Sequence, residues 1–313
     1  MVLRSPLQGG LPPAGAVGGP PTGAVVEIAC DESGFSGTNL LRSGLPVITH
    51  ASVDLGVGEA AGLIAALRSA FRFSPHELKS GQFLRRPGAS EALRWFLAAL
   101  RGRALVQVID KEFFLVTRIV DLLLYESTYA TLAQDHRTAA LDLARARRSG
   151  GDDWAALLEA FVDLMKIKRR PPVEPIVQRF FAARDALVRR GLDARAHAVL
   201  DGLDPARLHE VLTRLDNDDR TIPPPLEPML PALAETVLAW RLGRRQVLVI
   251  HDEQSALTAD RLTRLRQALA DADGFSPLAG LVMVDSRDDP RVQVADLLAG
   301  VARRRPDAVD ELG

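Results

Sequence analysis

Three carboxylates in this 313-residue chain stand where a carboxylate is costly. Asp31 ends the apolar run Val25 to Cys30, and Glu32, Ser33 and Gly34 follow at once. Asp252 ends a second run, Val247 to His251, with Glu253 behind it. Asp296 lies inside the helical pattern Val292 to Gly300, with apolar neighbours on both sides. Strands that deliver acids to their C-terminal ends are how many α/β enzymes hold a metal or a phosphate. An ionised acid in an apolar helix is expensive to bury unless it is paired or metal-bound. The three acids, far apart in sequence, are therefore expected to converge on one site.

Each acid also has a plainer reading. Asp31 before Glu-Ser-Gly can open a turn by bonding its own backbone. Strand alternation sends Asp31 and Glu32 to opposite faces, so one of them is expected to serve the site, and Asp31 is favoured because Glu32 already falls in the turn. Asp296 can pair with one of Arg303, Arg304 and Arg305 or face solvent on an amphipathic helix. Its small neighbours Ala295, Ala299 and Gly300 instead suggest close packing on the sheet, which would aim Asp296 at the strand ends. Glu77 and Lys79 offer an acid and a base on one side of an extended segment, or a surface ion pair. Asp110 ends a further expected strand, His76 and His251 flank acids and read either as proton shuttles or as structural groups, and Asp285 to Asp289 form a polar loop before the last helix that can approach the acids or only solvate a turn.

Several chemistries are excluded. The Asp252-Glu253 ending resembles a Walker B strand, but the phosphate-cradling Gly-rich loop ending in Gly-Lys is missing, since none of Lys79, Lys111, Lys166 and Lys168 follows a glycine. Asp31 is followed two positions on by Ser33, so an Asp-x-Asp phosphatase fails, and no Gly-x-Ser-x-Gly elbow is present. A single cysteine, Cys30, allows no internal disulfide and no thiolate cluster. Acids without Cys or paired His favour a hard cation with oxygen ligands, Mg²⁺ or Mn²⁺. Such ions can activate water and stabilise the leaving oxygen of a phosphodiester.

The elements that must position these residues follow from the pattern. The chain is 47% hydrophobic, enough for a real core, and has a net charge of −1. Residues 1–23, rich in Gly, Pro and Ala, read as a flexible tail. Strands are expected over 25–31, 46–53, 103–109, 246–250 and 278–284, and helices over 59–71, 90–100, 258–272 and 290–303. Residues 112–243 are helical almost throughout, too long for a connection. The expectation is an α/β core in two pieces, 24–111 and 244–305, its strands covered on both faces, with an all-helical insertion at 112–243. No run is apolar and long enough to span a bilayer and no secretory h-region is visible, so a cytoplasmic location is expected. Arg85-Arg86, Arg145 to Arg148, Lys166 to Arg170, Arg244-Arg245 and Arg303 to Arg305 are local basic clusters, either solvated helix ends or phosphate contacts.

Taken together, Asp31-Glu32-Ser33-Gly34 after a strand, Glu77-Leu78-Lys79, Asp252-Glu253 after a strand and the Gln293 to Gly300 helix resemble the bacterial and phage family known as domain of unknown function 3800, which is similar to the ribonuclease H-like superfamily. The resemblance covers the two core pieces and leaves the insertion unexplained. It implies a ribonuclease H-like mixed sheet flanked by helices, with Asp31, Asp252 and Asp296 as metal ligands and Glu77 as a fourth. It places Lys79 near the scissile phosphate or against Glu77. The function expected is a metal-dependent nuclease or phosphodiesterase that reaches nucleic acid through its local Arg clusters. The alternatives are a non-catalytic binding or regulatory module on the same fold, in a defence or mobile-element system, and a metal-dependent hydrolase of other phosphate esters. The insertion can serve as a lid, a specificity element or a homodimer interface. Glu32, Asp110 and Glu253 stay open as further members of the site.

Overall fold

The structure is a computed structural model that describes residues 2–4, 24–35, 37, 40–41, 45–71, 79–133, 137–166 and 172–312. In chain order its elements are β1 (Val2–Arg4), β2 (Val25–Ser33), β3 (Val47–Val53), α1 (Val57–Ala70), α2 (Ser80–Phe83), α3 (Ala89–Leu100) and β4 (Ala104–Asp110). A helical stretch follows: α4 (Lys111–Leu123), a 3-10 turn at Ala130–Ala133, α5 (Arg137–Ala144), α6 (Arg147–Met165), α7 (Val173–Arg189), α8 (Ala194–Asp201) and α9 (Pro205–Asp216). The chain closes with α10 (Met229–Trp240), β5 (Gln246–Asp252), α11 (Ala259–Ala268), β6 (Leu278–Val284), α12 (Pro290–Arg304) and a 3-10 turn at Pro306–Leu312. Among the described residues no helix is long and apolar enough to cross a membrane.

The chain divides into two compact units. The first comprises residues 1–35, 47–109 and 229–313, and the second residues 36–46 and 110–228. Two boundaries differ from the sequence reading. Met229–Trp240, expected in the insertion, belongs to the first unit because α10 packs on β3. Residues 36–46, expected in the core, group with the helices. A third difference lies in the tail expected at 1–23, where Val2–Arg4 pairs parallel with Val106 to Val108 of β4.

The first unit is built on one mixed sheet of order β1-β4-β3-β2-β5-β6. β2 runs antiparallel to β3 and parallel to β5, and β5 runs parallel to β6. Two-residue alternation sorts the side chains. Ala29, Ala51, Val53 and Ile250 face a core filled by Ile64 and Leu67 of α1, Phe96 and Leu97 of α3, and Leu297, Leu298 and Val301 of α12. His50, Ser52 and His251 face the other side, where α10 covers them through Thr236 and Trp240. The central strands are covered on both faces as expected. The last strand is not: Val282 and Met283 of β6 are exposed.

The α10 face holds a chain of hydrogen bonds whose direction chemistry fixes. The carbonyl of Asp252 can only accept, so Nδ1 of His251, 2.9 Å away, carries its proton and Nε2 is left to accept. Nε2 of His50 therefore donates to Nε2 of His251 at 3.3 Å, and Nδ1 of His50 accepts from the Thr236 hydroxyl at 3.1 Å. Thr236 Oγ1 in turn accepts from Nε2 of Gln107 at 2.8 Å. A proton added to either ring would break this order. Burial, then the proximity of His251, pushes the pKa of His50 down to about 3, and burial also lowers that of His251. His251 is thus a neutral structural group, and the shuttle role considered for it does not fit.

The second unit is helical. α4 packs against α5, α6 and α9, α6 pairs with α7, and α8 lies on α5 and α7. Its buried polar pair is Arg118 with Asp121, both on α4.

Candidate functional site

β2 and β5 place the first two acids side by side. Their parallel register ends with Cys30 opposite His251, so Asp31 and Asp252 are the next residues on adjacent strands, on the face that α12 covers. The strand β2 runs on through Glu32 to Ser33, two residues past its expected end. Ala51, the cross-strand partner of Asp31, sets only a methyl group beside it.

α12 brings the third acid to the same face. It packs across β2 and β3 and is pinned by Thr49 of β3, whose hydroxyl donates to the Ala299 carbonyl at 2.7 Å. Asp289 caps its N-terminus, and Arg291 ties that end to Asp289 and to Glu27 of β2. Ala295 and Ala299 are fully buried, as the sequence suggested. Gly300 serves a different contact than expected. A Cβ there would lie 2.1 Å from Ser80 Oγ and 2.6 Å from Ser80 Cβ, so the glycine admits α2 rather than the sheet. This close approach carries Lys79, the residue that precedes α2, to Asp296, with Nζ 3.4 Å from Oδ2. Alanine at a helix-interior glycine ordinarily stabilises by about 1 kcal/mol. Gly300→Ala is expected to do the reverse, destabilising by about 1–3 kcal/mol because α2 must shift. Urea unfolding of the variant checks the sign.

Burial and neighbouring charge both act on Asp31. Asp31 is buried, with 6% of its surface exposed. Its pKa is pushed up from 3.8 to about 9 by burial first, then by the negative charges of Glu32 and Asp296 and, less strongly, Asp252. The Glu32 backbone N–H, which donates to Asp31 Oδ1 at 2.7 Å, offsets part of this. Asp31 is therefore a protonated acid at neutral pH unless a cation joins it. Asp252 accepts from the Ser286 backbone N–H at 2.9 Å, so the loop before α12 holds its carboxylate in place. Glu32 accepts from Gln254 Nε2 at 2.6 Å.

The remaining sequence candidates fall as follows. Glu77 and His76 lie outside the described residues. Glu253 is exposed. Asp110 belongs to the second unit, where it caps α4 by accepting from Phe113 N–H and lies 3.8 Å from Arg147. Its position as helix cap accounts for it without a role at the site. Sequence reasoning missed Gln254 and the His50 network, and Gln254 had a signal, since it follows Asp252 by two residues. The polar loop from Asp285 to Asp289 does approach the acids, through the Ser286 backbone N–H.

The donors that converge are carboxylate oxygens, the right kind for a hard cation. Among the described residues, no group of three or more His, Cys, Asp or Glu side chains is arranged closely enough to hold a metal ion. Mg²⁺ does not require one, because it commonly keeps several waters and takes only one or two carboxylates plus substrate phosphates. The fold and site define a mixed α/β protein with an acidic centre at the ends of two parallel strands. Comparison of the chain with protein-family models, curated proteins and solved structures finds no match.

Proposed function

We propose that the protein is a metal-dependent phosphodiester hydrolase acting on nucleic acid, with a ribonuclease H-like core. The observation that carries this reading is geometric: Asp31 and Asp252 stand at the ends of adjacent parallel strands on the face covered by α12, the helix of Asp296. Acids at the ends of β2 and β5 and on the last long helix, over one mixed sheet, are the arrangement that the resemblance to the domain of unknown function 3800 family implies.

Asp31, Asp252 and Asp296 would hold Mg²⁺ or Mn²⁺, with Glu77 as the further ligand that the resemblance suggests. When bound, such an ion supplies an activated water and stabilises the leaving oxygen. To act as a ligand, Asp31 would release its proton to solvent. The Ser286 N–H fixes the rotamer of Asp252. Lys79 balances the charge of Asp296 and stands ready to meet a phosphate oxygen. Labelled DNA and RNA strands incubated with Mg²⁺ or Mn²⁺ test the reading. Cleavage that EDTA abolishes is the expected result, and intact strands with either ion would dismiss it.

A second reading is favoured by two observations, the Lys79 ammonium already against Asp296 and the lack of a ready three-ligand group among the described residues. On that reading the core is a non-catalytic binding module whose acids are balanced by protonation and by Lys79. The same assay separates the two, because the module binds strands without cutting them.

A further inference from the structure

α12 carries a second feature on the side that holds Asp296. Arg303 and Arg304 stand seven and eight residues further on, on the same side of the helix and about 10–12 Å along its axis. The row 296, 300, 304 meets α2 step by step: Asp296 at Lys79, Gly300 at Ser80 and Arg304 at Gly81. A Cβ on Gly81 would lie 3.2 Å from Nη2 of Arg304. Arg303 instead crosses the end of β2. A Cβ on Gly34 would lie 2.5 Å from its Nε and 2.9 Å from the Val47 carbonyl, and Gly34 holds a φ of +96°. A side chain is thus excluded from position 34 both by space and by backbone conformation. Both guanidinium groups rest against backbone that is glycine at the point of contact.

Arginine in the last turn of a helix is favoured by the helix dipole. That accounts for positive charge there, but not for this packing. Nε of Arg303 is buried with no hydrogen-bond partner among the described residues. Burial, then repulsion from Arg304, holds the Arg303 guanidinium below its ordinary pKa. Two like charges pressed together, one of them partly desolvated, are stabilised by an anion.

We propose that Arg303 and Arg304 clamp a backbone phosphate of a nucleic-acid strand that also reaches the carboxylates. The inference rests on the phosphodiester reading above and extends it by naming where the flanking strand is held. Guanidinium forks match phosphate oxygens two at a time. The separation from Asp296 is about two turns of α12, so the clamped phosphate is a different phosphate of the strand from the one at the acids. A local clamp also explains how a chain of net charge −1 can hold a polyanion.

Binding of a labelled single-stranded oligonucleotide, without divalent metal and across about 50–200 mM salt, tests the clamp. The double variant R303Q/R304Q is expected to lose about tenfold in affinity, and its log K against log salt to be shallower by about 1.4, the loss of two phosphate contacts at about 0.7 each. Because Arg303 is partly buried, the single variant R304Q at an exposed position keeps the test independent of folding, with a slope shallower by about 0.7. R304K, which keeps the charge, is expected to restore the slope. Slopes and affinities equal to wild type in both Gln variants would overturn the clamp, as would a wild-type protein that binds no strand. If these slopes appear in a protein that cuts nothing, the clamp stands and the hydrolase does not. If the protein cuts but the slopes are unchanged, the hydrolase stands and the clamp does not.

Discussion

Asp31→Asn is expected to make the metal-free protein more stable in alkali while sharply reducing the proposed metal-dependent cleavage. Asn keeps the oxygen that accepts from the Glu32 N–H and removes the titrating proton. In the wild type, the folded pKa of about 9 exceeds the ordinary 3.8, so the folded state holds a proton that the unfolded state releases. That contribution to stability is full below the unfolded pKa and is lost as pH rises through about 9. His50, with its pKa lowered from 6.5 to about 3, acts the other way, stabilising above 6.5 and losing that contribution as pH falls through about 3. The effect of Asp31 therefore stands clear between 6.5 and about 9, where the folded protein should lose up to about 1.4 kcal/mol per pH unit. Denaturant midpoints across that range should fall for the wild type and stay flatter for the variant. The same proton opposes a cation, so wild-type metal affinity should rise about tenfold per pH unit while Asp31 remains protonated. Cleavage should drop by at least about 10²–10³-fold in the variant. A variant as active as the wild type would remove Asp31 from the chemistry.

Asp296→Asn is expected to separate function from folding in a second way. The carboxylate is 23% exposed and its Lys79 partner 54%, so losing this ion pair should cost less than about 1 kcal/mol. The proposed metal-dependent cleavage should nonetheless fall by about 10³-fold, because a ligand of the proposed cation site is gone. The variant also reports on convergence without any metal. Asp296 is one of the charges that raise the pKa of Asp31, so its removal should bring that pKa down from about 9. The alkaline fall in stability should then end at a lower pH. An unchanged stability profile together with full cleavage would mean that the two acids do not share a site.

Much of the core was legible because hydrophobic period and punctuation agree there. β6 spans the expected residues, and α12 begins at Pro290, whose fixed φ suits a first helical turn. The acids were legible for the opposite reason, since each breaks an apolar pattern at a cost that invites a partner. The boundaries were less legible. α10 reads as one more amphipathic helix, and nothing local says that Thr236 and Trp240 cover His50 and Ser52 of β3. Asp110 looked like Asp31 at the end of a strand, yet a helix begins at the next residue and takes it as a cap. Gly300 read as packing on the sheet, but its neighbour is Ser80, 220 residues away in sequence and invisible to any local pattern.

If Asp31, Asp252 and Asp296 share one cation, a crystal of the protein soaked in Mn²⁺ and measured for anomalous scattering should show it. A peak is expected between these side chains, with metal–oxygen distances of about 2.0–2.2 Å to at least two of them. Saturating Mn²⁺ with no density there, and Asp31 still facing its neighbours unliganded, would contradict a shared site.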